Sequence, residues 1–479
     1  MKLTKILVPV VLAALLASCK KVLNVDPQFS LDASQLKTVE DYDFALTGAY
    51  RLFRSTSYYG ATSAASNAFA CLPDILSDNL NESSESLGNE RVFSRWSYAQ
   101  DENQIENTWI AAYRIISQAN IVLGGIDQFS STDAGAVNRI KAQALAIRAL
   151  AHFDMMRYFV NDYDRNSTSP GIPYVTIFDY NAKPARGNVK TDYDNVEQDL
   201  KTARTLMGSM DRSINSGSSR AYIDVNAVNA ILARVYLYSN QLDSAIKYST
   251  LVINARPLAS RTSFPDIWTD ASTAEVLWSC VFEAGQGTPG ANVYFPVAPA
   301  NVGRGEYKPN PTLVSTFDQA NDIRYTSYFK VIAGRLVLAK YLAKAAQLGK
   351  PDGVVNFKAF RTGEMYLIRA EAYVRKGGAA NEALGLADLN TLRAARINGY
   401  TPVVLSGAAL SSAIEQERRK ELFCEGHRFF DLKRTTRSIS RADCASFCTL
   451  TSTNRAWTWP IPQPEIDANV NILPQNPGY

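Results

Sequence analysis

Histidine is nearly missing from this chain. His152 and His427 are the only two among 479 residues, which leaves a Ser-His-Asp hydrolase few ways to exist, and no G-x-S-x-G elbow is present. So few imidazoles also argue against a zinc site. Basic tracts are absent: the net charge is +4, with Lys2 and Lys5 near the N-terminus contributing two of the positive charges. No stripe of Lys and Arg marks a nucleic-acid surface. After Leu16 no apolar run reaches the length of a membrane span. Five cysteines follow Cys19, and an odd count excludes a complete disulfide framework. Cys444 and Cys448 lie in a polar, loop-like stretch where local pairing is open, whereas Cys424 reads as a buried small hydrophobe.

What is present begins with an address. Lys2 and Lys5 form a positive n-region, and Ile6 to Leu16 is an apolar run too short to span a bilayer. It ends in Leu16-Ala17-Ser18-Cys19, which looks like a bacterial lipobox. The expectation is a signal peptide over residues 1–18, acylation of Cys19 and a linker over 19–35. More than one acyl chain is what stable anchoring requires. The mature protein is then tethered rather than embedded.

The body reads as helical. Val39 to Phe53 and Thr108 to Ile126 carry a helical period, the second ending at Gly124-Gly125. Ile140 to Val160 is apolar almost all round, the mark of a helix buried within an array. His152 on it is expected to be a hydrogen-bonded core residue. Within Asn226 to Pro257, the residues Leu232, Ala233, Tyr236, Ala245, Val252 and Pro257 fall at tetratricopeptide spacings. Ala370, Tyr373 and Ala383 echo the unit one residue longer, and Arg148-Ala149 with Phe153 is a poorer third copy. One helical pair cannot bury its apolar face alone, so scattered copies imply stacking into a solenoid-like layer. Trp109 and Trp278 sit in periodic segments and are expected in the core.

Ala413 to Arg434 reads as a central helix, with Ile414, Leu422, Phe429 and Leu432 on one face and Phe423 and Phe430 on nearly the opposite one. Glu421 and Glu425 are like charges one turn apart, unfavourable unless cations answer them. Arg418 lies three residues before Glu421 and Arg428 three after Glu425. Half-buried charges need partners. An architectural ion-pair lattice is therefore expected here rather than catalysis.

Two stretches are irregular. Ser77 to Trp96 is rich in Asn, Ser, Glu and Gly, and Gly285 to Pro311 holds many Gly and Pro. Gly285, Gly287 and Gly290 spell G-x-G-x-x-G, but Pro296 and Pro299 forbid the helix a dinucleotide site needs, so the motif is rejected. Asp162, Asp164 and Asn166 mimic the start of a calcium loop. Ser167 replaces the required Gly and Pro173 the terminal Glu, so an EF-hand fails, although a looser calcium site is left open. No cofactor is expected. The tail, WTWPIPQPEIDANVNILPQNPGY, is proline-rich, yet Trp459, Ile461 and Ile466 call for burial against the body.

Glu417, Arg418, Glu421, Leu422, Glu425, Gly426, Arg428, Asp431, Leu432 and Arg434 resemble the E-R-x-x-E-L-x-x-E-G-x-R-x-x-D-L-x-R signature of the SusD/RagB family. The lipobox, the Trp109 and Arg148 helices, Arg369 to Tyr373 and the tail resemble it as well. The resemblance implies a mostly α fold, tetratricopeptide-like repeats forming a superhelical scaffold with irregular ligand-binding loops and few short strands. It implies one SusD-like unit over residues 36–479, its halves dividing near residue 263. It further implies a non-catalytic outer-membrane lipoprotein facing the cell exterior, which captures glycan and hands it to a SusC-like TonB-dependent transporter. RagB-like members take peptide instead. A surface glycosidase and a tetratricopeptide scaffold for a protein tail are the readings from other classes.

A sugar site needs aromatic platforms and a few fixed polar groups. The first loop offers Asp78, Asn79, Asn81, Arg91, Trp96 and Tyr98. The second offers Asn292, Tyr294, Phe295, Arg304 and Tyr307. The family's ligand site is likewise made by loops from these two parts of the chain.

Overall fold

A computed structural model describes residues 36–62, 67–208, 219–283, 286–287, 289–290, 293–295, 304–332, 334–342 and 354–479. Cys19 and Asn292 lie outside them, and Tyr294, Phe295 and Arg304 are described for backbone alone.

The periodic segments become helices, and their starts are set by short polar side chains. Thr38 and Asp41 form a capping box ahead of Val39–Leu52, Asp133 caps Ala134–Phe159, and Asp224 caps Val225–Tyr238. Antiparallel neighbours follow one another: Asn103–Gly125 packs on Ala134–Phe159, and that helix on Val189–Met207. The layer continues through Val225–Tyr238, Leu242–Ala255, Thr362–Lys376 and Ala379–Arg396 to Gly407–Glu421. Each pair buries the apolar face the previous one leaves open, as stacked repeats must. The Ala134–Phe159 helix is buried on all sides over most of its length, and its alanines (Ala142, Ala144, Ala146, Ala149, Ala151) let both neighbours approach.

His152 is a satisfied core residue. Its Nε2 accepts from the Val175 N–H at 3.0 Å, so Nδ1 carries the proton toward the Arg148 carbonyl at 2.9 Å. Its ring stacks on Tyr174, and burial pulls its pKa down to about 3. Trp109 and Trp278 are core residues. The tail returns to the body: Trp459 stacks on Tyr158 at 3.7 Å, and Ile461 is fully buried.

The strands are short and antiparallel. Val276–Cys280 pairs with Phe357–Arg361, buried along its whole length. Leu80–Glu82 pairs with Tyr307–Pro309, and Tyr294–Phe295 pairs with Arg304–Gly305. Among the described residues, no helix is long and apolar enough to cross a membrane.

One expectation is corrected. Ala413 to Arg434 is not a single helix: Gly407–Glu421 ends at Leu422, and a second helix runs over Arg428–Arg434. The chain reverses through Cys424 and Gly426, at φ +56° and +81°. Gly426 is required there, since a Cβ would meet the Phe69 carbonyl oxygen at 2.2 Å.

Candidate functional site

Two charged regions compete for the role of a site, and their geometry separates them. The first surrounds the helix break. The strand ending at Arg361 delivers its guanidinium to three carboxylates: Nη1 lies 2.6 Å from Glu275 and 2.9 Å from Glu421, and Nε lies 2.7 Å from Glu425. Arg396 joins Glu275 and Glu421 at 2.8 and 3.0 Å. Arg324 holds Glu417 at 2.6 Å and Glu421 at 3.0 Å, and Lys340 meets Glu425 at 2.6 Å. A Cβ on Gly363 would stand 2.5 Å from Glu421 Oε1, so only glycine lets the next helix start beside the cluster.

Burial alone would raise the Glu421 pKa, but Arg396, Arg361 and Arg324 outweigh it and hold the carboxyl far below its usual range. Glu417, answered by Arg324, Lys420 and Arg393 against the same burial, is brought down to about 2. Both carboxyls are held in their charged forms, and neither is poised to transfer a proton near neutrality.

The cations that answer Glu421 and Glu425 are therefore not the helix neighbours expected from spacing. Arg418 turns to Asp431 at 3.1 Å, and Arg428 to Asp78 at 2.7 and 2.9 Å. Arg434 completes this second knot, with Glu371 at 2.7 Å and Asp431 at 2.8 Å.

The second region is the loop face. The strand pair Leu80–Glu82 with Tyr307–Pro309 draws the two irregular stretches together, with Asn81 opposite Lys308 and Glu82 opposite Tyr307. Most of the residues expected there hold the loops rather than face outward. Asp78 accepts from Arg428 and lies 3.4 Å from Arg419. Asn79 bonds Asp74 and Arg419, each at 2.7 Å. Asn81 donates to the Ala442 and Asp443 carbonyls. Trp96 is buried under the Arg441 guanidinium at 4.2 Å and donates to the Leu76 carbonyl at 2.8 Å. Tyr98 is buried with its hydroxyl donating to Ala456, and Tyr307 is buried with its hydroxyl on the Asn89 carbonyl at 2.7 Å. Their polar atoms are committed to the fold, so they shape the loops from beneath.

Arg91 differs. It is half-exposed and paired with Glu82 at 2.6 Å, and Arg95 reaches the same carboxylate at 3.2 Å. Two exposed apolar side chains of this region were not anticipated. Leu87 is 70% exposed. Phe447 is 53% exposed and lies 5.6 Å from the Arg95 guanidinium. Phe447 sits inside the loop closed by a Cys444–Cys448 disulfide. The one sequence signal for it was that cysteine spacing, which brackets the aromatic. Arg335 pairs with Glu85 of the first loop. Among the described residues, no cluster of three His, Cys, Asp or Glu could hold a metal ion.

Residues 55–237 match the profile of a family described as starch-binding and associating with the outer membrane. Residues 314–479 match the SusD family profile. A SusD superfamily crystal structure from Bacteroides thetaiotaomicron superposes with a TM-score of 0.80 at 27% identity, covering 92% of this chain and 100% of that one. Surface glycan-binding protein A from Bacteroides fluxus aligns with a TM-score of 0.75 at 20% identity, covering 92% and 100%. SusD-like protein P2 of Formosa agariphila is 23% identical over 93% of this chain and 94% of its own.

Proposed function

The chain belongs to the SusD/RagB family, and from that premise we propose that it captures glycan at the cell surface and delivers it to a SusC-like TonB-dependent transporter. The tether is the acylated Cys19. The observation carrying the proposal is the antiparallel junction of Leu80–Glu82 with Tyr307–Pro309. It fuses two irregular segments into one face over a saturated scaffold, with an exposed aromatic ring and charged groups at its edge. Phe447 and Leu87 offer apolar surface to sugar C–H faces, and Arg91, Arg95 and Glu82 offer hydrogen bonds to hydroxyls. Tyr294 and Phe295, on the strand beside Arg304–Gly305, complete the proposed contact set. Asn79, Asn81, Trp96, Tyr98 and Tyr307 hold the face in shape. The charged clusters serve the scaffold, and no catalytic step is assigned to them.

Calorimetry of the purified mature chain against oligosaccharide and peptide libraries tests the cargo. Glycan binding weakened by Phe447→Ala supports the proposal. Binding of peptide and of no glycan would move the protein to the peptide-carrying branch. Copurification with the product of an adjacent transporter gene tests the partner, and loss of membrane association in Cys19→Ala tests the anchor.

A further inference from the structure

A second cleft, of about 370 Å³, opens where the end of the Val39–Leu52 helix meets the turn at Ala221–Ile223 and the exit of the Val276–Cys280 strand. It shares no lining residue with the loop face, and its volume falls in the ~300–1,000 Å³ range of ligand pockets. Arg51 and Arg54 line it. Among the described residues, neither guanidinium has an ion-pair or hydrogen-bond partner. Arg324, Arg361 and Arg396 are each answered by two or more carboxylates, so two cations in one cleft with no partner among the described residues call for a reason. Arg51, in the last turn, complements the helix C-terminus. That does not account for Arg54, which lies beyond the helix.

An aromatic ring stands in the same cleft. Tyr222 is 39% exposed and edge-on to Tyr50, with ring centroids 5.5 Å apart. Its turn is fixed on both sides. The Trp278 indole donates to the Ala221 carbonyl at 3.0 Å, and the Tyr50 hydroxyl accepts from the Ile223 N–H at 2.9 Å. Tyr50 is itself held by donating to Gln143 at 2.6 Å. A ring presented by a pre-bonded turn costs little further ordering when a ligand stacks on it. Exposed Glu283 in the lining supplies an acceptor for a hydroxyl.

We propose that this cleft is a second saccharide subsite, selecting a sugar that carries an anionic group, either a uronate carboxylate or a sulfate ester. Tyr222 packs on the pyranose face, and Arg51 and Arg54 take the anion through charge-assisted hydrogen bonds. The inference rests on the glycan-binding reading above and adds the charge class of the cargo.

The test uses the mature chain on a glycan array in which each acidic oligosaccharide is paired with its carboxyl-reduced or desulfated counterpart, followed by calorimetry on the best-bound pair. The acidic member should bind about tenfold more tightly, the scale of one charge-assisted hydrogen bond. Arg51→Ala with Arg54→Ala should abolish that preference, bringing the acidic member's affinity down to that of the neutral member. Added salt should narrow the gap. Uronate and sulfate pairs read separately identify which anion is selected. Equal binding of both members, or a preference that survives the double substitution, overturns the subsite and leaves glycan capture standing. Binding of acidic peptide and of no saccharide overturns both.

Discussion

Arg361 and Arg54 carry the same guanidinium and live in opposite circumstances. The first is sealed from water, between Glu275, Glu421 and Glu425. The second lines an open cleft and, among the described residues, forms no ion pair. The loop face lies between these extremes: Arg91 and Arg95 share Glu82 but keep surface to spare. Charge density alone does not locate a binding site in this molecule. A saturated, buried cluster has no hydrogen-bonding capacity left for a ligand, so its work is to position the elements that contribute to it. Partly satisfied groups beside an exposed ring retain that capacity.

The contrast can be broken or sharpened experimentally. Arg361→Ala removes the cation shared by three buried carboxylates and should cost about 3–5 kcal/mol, read as a lowered urea midpoint. Asp78→Ala cuts the tie between Arg428 and the first loop. It should cost about 1.5–3 kcal/mol and weaken all ligands alike, because the loop rather than a contact is disturbed. Acidification probes the lattice without mutation. Glu417 and Glu371 sit at about 2 in the folded chain against an ordinary 4.5, burial being outweighed by their arginines. The unfolded chain therefore takes up their protons first, so this stabilisation is complete above pH 4.5 and drains away as pH falls toward 2. An acid titration by far-UV circular dichroism should place the unfolding in that window, and Arg361→Ala should unfold at higher pH. Phe447→Ala should do the reverse of the lattice variants, weakening glycan binding about tenfold with a stability change under about 0.5 kcal/mol. Arg437→Ala, at an exposed pair with Glu415, should change stability by less than about 1 kcal/mol.

The helical layer was legible because repeat packing writes itself into local spacing. Leu232, Ala233, Tyr236 and Ala245 fix a helix pair without reference to anything distant. The lattice was legible as a requirement, since Glu421 and Glu425 needed cations, but its partners were not. Arg324, Arg361, Arg396 and Lys340 are brought there by the fold from far along the chain, and no local period announces them. The helix break at Cys424 and Gly426 was missed because the apolar periodicity of Leu422 and Phe429 runs on across it. At the loop face, residue types were a poor guide to exposure. Trp96 and Tyr98 suit a sugar, yet equally suit a buried clasp, and only the placement of Arg441 and Ala456 decides between the two. Phe447 was hidden because a single aromatic in a polar loop carries no pattern beyond its flanking cysteines.

The most direct measurement pairs thermal unfolding with calorimetric titration on Glu425→Ala and Phe447→Ala side by side. A bracing lattice requires the melting temperature of Glu425→Ala to fall while the ranking of ligands is kept, and Phe447→Ala to keep its melting temperature while affinity drops. An unchanged melting temperature with abolished binding in Glu425→Ala would contradict it, and would place the ligand inside the lattice.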